Sequence, residues 1–145
     1  MKAKLKTKKK PLTVSQAKKK AWAVFSQYIR QKYAREDGQC QCVTCNKWDH
    51  WTHLQAGHFI DGRNNTVLYD ERLVHPQCFN CNMKLEGCKA GNKVVYSIFM
   101  MKKYNLTVKD LEDMQNLYFS SKQMKAQDHL EIFEAYKIKL KEVAK

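Results

Sequence analysis

The chain has 145 residues, 43% of them hydrophobic and 28% charged, which suits one ordinary domain with a modest core and excludes a wholly disordered chain. Lysine and arginine outnumber aspartate and glutamate 27 to 14, a formal net charge of +13 at pH 7. No apolar run approaches the roughly 18 residues of a membrane span, and the basic start lacks a secretory apolar core. A soluble, cytoplasmic protein without a membrane partner is expected.

Residues 1–14 form a basic arm expected to be disordered until something anionic binds. Twelve basic residues precede the first acid, Glu36, whereas the rest of the chain carries 15 basic against 14 acidic residues. Such an arm suits a polyphosphate such as DNA, because each neutralised phosphate releases condensed counterions. The plainer alternative is a solvated tail that aids solubility. Residues 15–35 read as a helix capped by Ser15, with Trp22, Phe25, Ile29 and Tyr33 as its core stripe.

Residues 36–105 change character. Cysteine, histidine, asparagine and glycine concentrate in the first part, where helical periodicity is lost and Thr66–Tyr69 is a candidate strand. Helical spacing returns from Asn92 to Tyr104 through Val95, Ile98 and Phe99. In residues 106–145, Thr107 to Asp110 reads as a capping box opening a helix to about Phe119. A last helix, from about Lys125 to Ala144, carries the stripe Leu130, Phe133, Tyr136, Leu140 and Val143. That stripe is either core or the seam of a homodimer.

The chemistry lies in the middle. Cys42-Val-Thr-Cys45 and Cys78-Phe-Asn-Cys81 are two C-x-x-C knuckles, and together they supply the four thiolates of a closed, structural zinc site. Buried free thiols or a redox pair are the alternative. Cys40 and Cys88 remain over, and Cys40 is near enough in sequence to compete as a ligand. Between and after the knuckles stand His58, Asn64, Asn65, Asp70, Glu71, His75 and Asn82. Zinc would fix the residue beside Cys81 against a strand bearing His58. That is the layout of a ββα-metal nuclease, with a neutral imidazole as base and a divalent ion on a few hard ligands.

The run FSQYIRQKYAREDGQCQCVTC, then AGHFIDGRNN, then YDERLVHPQCFNCN and Gly91-Asn92, resembles the phage lambda NinG (Rap) recombination-protein family. The asparagine directly after the fourth cysteine also resembles the phage T4 Holliday-junction resolvase. The resemblance implies an α+β fold: a zinc-bound, HNH-like ββα centre between an N-terminal helix and a helical C-terminal region. It implies a metal-dependent endonuclease acting on branched or single-strand-containing DNA in the host cytoplasm. His58 would be the general base, Asn82 a ligand of catalytic Mg2+ or Mn2+, and Cys42, Cys45, Cys78 and Cys81 the zinc ligands. His75 is a second candidate for the catalytic set, and Arg63 and Lys84 are candidate phosphate contacts.

Two positions depart from the HNH pattern. Gly57 stands where many such nucleases carry a metal-binding aspartate, and Leu73 where they carry the middle asparagine. Asp70, Glu71 or His75 are the candidates for a further metal ligand, and Asn64 or Asn65 for orienting His58. A zinc module that binds DNA without cutting it is the alternative function.

Overall fold

The computed structural model describes residues 10–62, 64–120 and 122–144. Most of the basic arm and Arg63 lie outside them. The first helix, α1, spans Val14–Lys32, and its cap is Thr13, not Ser15. Thr13 and Gln16 form a reciprocal capping box: Gln16 N donates to Thr13 Oγ1 at 3.2 Å, and Thr13 N donates to Gln16 Oε1 at 3.0 Å. Ser15 has a lysine three residues on, which cannot return such a bond. Ala17, Ala21, Phe25 and Ile29, one turn apart, are fully buried.

Two small antiparallel sheets follow. Strands β1 (Gln39–Gln41) and β2 (Trp48–His50) form a hairpin whose loop carries the first cysteine knuckle. Strands β3 (Gln55–His58) and β4 (Val74–Gln77) pair in the register Gln55 with Gln77, Gly57 with His75, and His58 with Val74. Directly after β4, Cys78 caps the one-turn helix α2 (Phe79–Asn82), which holds Cys81. Thr66–Tyr69 is not a strand but a turn, in which the Val67 and Leu68 amides both donate to the Asn64 carbonyl.

The β3–β4 sheet separates two cores, as alternation along its strands requires. Ala56 and Val74 face α1, beside Phe25, Tyr28 and Ile29. The opposite face turns His75 towards Tyr96 and Phe99 of helix α3 (Lys93–Tyr104). On α3 the buried residues are Tyr96 and Met100, while Val95 and Ile98 of the expected stripe are exposed. Helix α4 (Val108–Asn116) opens on the Thr107–Asp110 capping box and closes in a 3-10 turn, Leu117–Phe119.

The last helix, α5 (Ala126–Val143), lies along α1 in the same sense: Lys20 stands over Phe133, and Phe25 and Tyr28 meet Tyr136. Phe133, Tyr136, Leu140 and Val143 of its stripe pack against α1 within the chain. The architecture is a mixed α+β one, and no described helix is long and apolar enough to cross a membrane.

Candidate metal centre and adjoining cleft

The two knuckles meet. The Sγ atoms of Cys42, Cys45, Cys78 and Cys81 all lie within 4.8 Å of one another, and Cys45 and Cys78 are 3.8 Å apart. Zinc–sulfur bonds of about 2.3 Å in a tetrahedron put sulfurs about 3.8 Å apart, so the cluster can hold a metal such as zinc. Local geometry aims the thiols. Asn46 takes a left-handed φ of 61° and returns its amide to the Cys42 carbonyl, while α2 turns Cys81 back towards Cys78.

Without a cation these thiols oppose one another. Burial and the neighbouring cysteines push Cys81 up to about 12 and raise Cys45. Burial also acts to raise Cys42, but the Thr44 hydroxyl and nearby amides outweigh it and bring that thiol down to about 6. A metal ion replaces the protons and removes the conflict. Cys40 is not in the cluster: it is buried against Ala34 and Leu54, and burial pushes its thiol up to about 11. Cys88 is also outside it.

Beside the cluster, along the edge of β3 not paired with β4, opens a cleft of about 710 Å³. Its walls include Trp22 and Arg30 from α1, His58 from β3, Asn82 from α2, and Lys84 and Lys93. His58 Nε2 lies 3.3 Å from the Leu68 carbonyl, which can only accept, so Nε2 carries a proton, and in the neutral form of the ring the lone pair is on Nδ1. The ring stacks on Trp22 at 4.9 Å between centroids. Asn82 Nδ2 donates to Gln55 Oε1 at 2.7 Å, which fixes the amide and leaves its carbonyl oxygen as a hard ligand atom.

The cleft is cationic. Arg30 is pinned by the Ser26, Trp51 and Leu54 carbonyls, and Lys93 Nζ donates to the His58 and Phe59 carbonyls at 2.7 and 2.8 Å. Asp61, the one carboxylate among the described lining residues, pairs with Lys84 at 3.0 Å and Lys93 at 3.1 Å. Burial raises its carboxyl, but the two lysines outweigh that and hold it below its ordinary value.

Several other candidates lie elsewhere. His75 is fully buried, with Nδ1 and Nε2 each 2.8 Å from a hydroxyl, of Tyr96 and Tyr104. Burial, with Lys103 and Lys32 nearby, brings its imidazole down to about 3. It is a neutral core group, away from the cleft. Glu71 belongs to the α1–α5 seam, Asp70 pairs with Arg72, and Asn64 and Asn65 tie their turn to the backbone near Ser120 and Lys122. The Leu68 carbonyl, not an asparagine, orients His58. Leu73 is core, packed with Phe59, Ile60 and Tyr96. Trp22, Arg30, Lys93 and Gln55 are additions that spacing did not mark, since their roles depend on which strand edge they reach.

A family model described as Bacteriophage Lambda NinG protein matches residues 1–145, and the chain belongs to that family. No curated protein and no solved structure shows a significant match to it.

Proposed function

We propose that this NinG-family chain is a metal-dependent DNA endonuclease of phage recombination, cutting branched or single-strand-containing DNA. The observation that carries the reading is that His58 and Asn82, on opposite faces of one strand–helix unit, open into the same cationic cleft. The order β3–β4–α2, with the cysteine cluster at its base, supports an HNH-like ββα centre. His58 Nδ1 accepts a proton from the water that attacks the scissile phosphorus. Lys84, Lys93 and Arg30 draw the phosphodiester into the cleft and offset its charge. Asn82, through its carbonyl oxygen, would hold Mg2+ or Mn2+, which when bound supplies charge stabilisation at the pentavalent phosphorus and the departing oxygen. Four thiolates leave zinc no open position, so zinc is structural in this scheme.

A specific observation favours the alternative, a zinc module that binds DNA without cutting it: Gly57 offers no carboxylate and Asp61 is already neutralised by two lysines. Cleavage of linear duplex, flap and four-way junction DNA with Mg2+ or Mn2+ decides between them. The endonuclease reading expects cutting of a branched substrate, and His58→Ala should slow it by on the order of 10²–10⁴ while zinc content and DNA affinity stay near wild type. No cutting of any substrate, with binding retained and lost at high salt, establishes the module instead.

A further inference from the structure

Because Gly57 has no side chain, two carboxamide oxygens approach its Cα closely. A Cβ built on it would collide with Gln77 Oε1 and come within 2.8 Å of Asn82 Oδ1. Both oxygens therefore border one small region beside the Gly57 Cα. Gln77 is fully buried, and its amide orientation is set by Nε2, which donates to the Gly91 carbonyl at 3.0 Å and approaches Thr44 Oγ1 at 3.5 Å. Its Oε1 has no hydrogen-bond partner among the described residues. Leaving a buried amide oxygen unpaired costs about 1–3 kcal/mol, so such an atom calls for a partner. Asn82 Oδ1 stands alongside it, at the wall of the cleft.

We propose that Gln77 Oε1 is a ligand of the divalent cation and, with Asn82 Oδ1, replaces the carboxylate that position 57 lacks. The proposal rests on the reading of Asn82 as a metal ligand and names the second oxygen of that site. Two ligands of one Mg2+ at about 2.1 Å lie about 3–4 Å apart, a span the shared neighbourhood of the two oxygens allows. Both are neutral, hard donors, suited to Mg2+ or Mn2+ and poorly matched to zinc. The pairing also gives Gly57 a reason: an aspartate there would need the volume that the Gln77 carboxamide fills. Gln77 Nε2 anchors the arrangement, because its bonds run to Thr44 of the first knuckle and to Gly91 before α3.

The test uses the full-length, zinc-loaded protein and the metal alone. Free Mn2+ is followed by electron paramagnetic resonance, and the side-chain carbonyl carbons by NMR during a Mg2+ titration. One Mn2+ site beyond zinc is expected, with Gln77→Met, Gly57→Ala and Asn82→Ala each weakening it by about tenfold or more, a loss usual even for outer-shell partners. Zinc content and the thermal transition report whether each variant folds. The NMR arm needs no variant: the Gln77 and Asn82 carbonyl carbons of the wild type should shift along one saturation curve. An Asn82 that shifts while Gln77 stays still overturns the proposal and leaves Asn82 as a ligand. If neither carbon moves and no Mn2+ binds, the metal reading of Asn82 falls as well. Binding of Mn2+ with both carbons unmoved places the ion elsewhere and overturns both.

Discussion

Glu71 joins the two long helices to the central turn, and its replacement by glutamine should be measurable as a pH-dependent loss of stability. The carboxylate accepts from Lys32 at 2.8 Å, Lys139 at 2.6 Å, and the Tyr28 and Tyr136 hydroxyls at 3.1 and 3.0 Å. Burial acts to raise its pKa, but Lys139, Lys32 and Tyr136 outweigh burial and hold it down at about 2, against an ordinary 4.5. At about 1.36 kcal/mol per pH unit that shift corresponds to ~3 kcal/mol. The side chain is 23% exposed, so solvent screens part of it and about 2 kcal/mol is the expected effect. A depressed carboxyl stabilises the fold fully above about pH 4.5 and loses that contribution as pH falls towards 2. Glu71→Gln should therefore unfold about 4–8 °C below wild type at pH 7. In urea titrations the gap between the two proteins should close between pH 4.5 and 2. Zinc loss in acid affects both alike and cancels in the comparison. Equal stability at pH 7, or a gap that does not change with pH, would refute the reasoning.

Metal analysis should find about one tightly held zinc per chain, and Cys78→Ser should release it and unfold the middle, since thiolate zinc sites contribute on the order of 10 kcal/mol to folding; retention of zinc by that variant would bring Cys40 or Cys88 back as ligands. Removing residues 1–12 deletes six lysines, and if half of them touch phosphate the slope of log K against log salt should fall by roughly 2–3; an unchanged slope would make the arm a solubilising tail. His75→Phe should cost about 1–3 kcal/mol by removing the ring nitrogens that bond the Tyr96 and Tyr104 hydroxyls, of which Tyr96 keeps its bond to the Gly57 carbonyl. Because folding holds His75 neutral down to about 3, wild type loses stability as pH falls below 6.5, and the variant should lack that part of the loss in thermal melts.

Local signals in the chain were readable where one residue type has one physical use. Paired C-x-x-C spacings prefigured the four-sulfur cluster, and Thr107 with Asp110 prefigured the start of α4, since both depend on contacts within a few residues. The Ser15 cap failed because two hydroxyls, Thr13 and Ser15, competed, and only Thr13 had a glutamine three residues on to close the box. The turn at 66–69 failed for a different reason. Val67 and Leu68 are fully buried, as strand residues would be, but Asn64 captures both amides and bends the chain instead. On α3, apolar residues occupy more than one face, so periodicity alone could not say that Tyr96 and Met100, and not Val95 and Ile98, would turn inward.

The candidate site was legible only in its cysteines and in the proximity that they impose. Zinc-knuckle spacing implied that Asn82 would be held near a strand bearing His58, and both line the cleft. Nothing local separated His58 from His75, which lie 17 positions apart on paired strands. Their fates follow from the parity of the sheet. His58 pairs with Val74 on the face towards α1 and reaches the cleft beside Trp22, whereas His75 pairs with Gly57 on the face towards α3 and is sealed by two tyrosines. A slip of one residue in that register would pair His58 with His75 and put both histidines on one face. Register is itself a long-range property, fixed here by Val43 donating to the Pro76 carbonyl and by Phe59 donating to the Leu73 carbonyl. The chemistry of the cleft is thus decided by backbone bonds between residues that carry none of it.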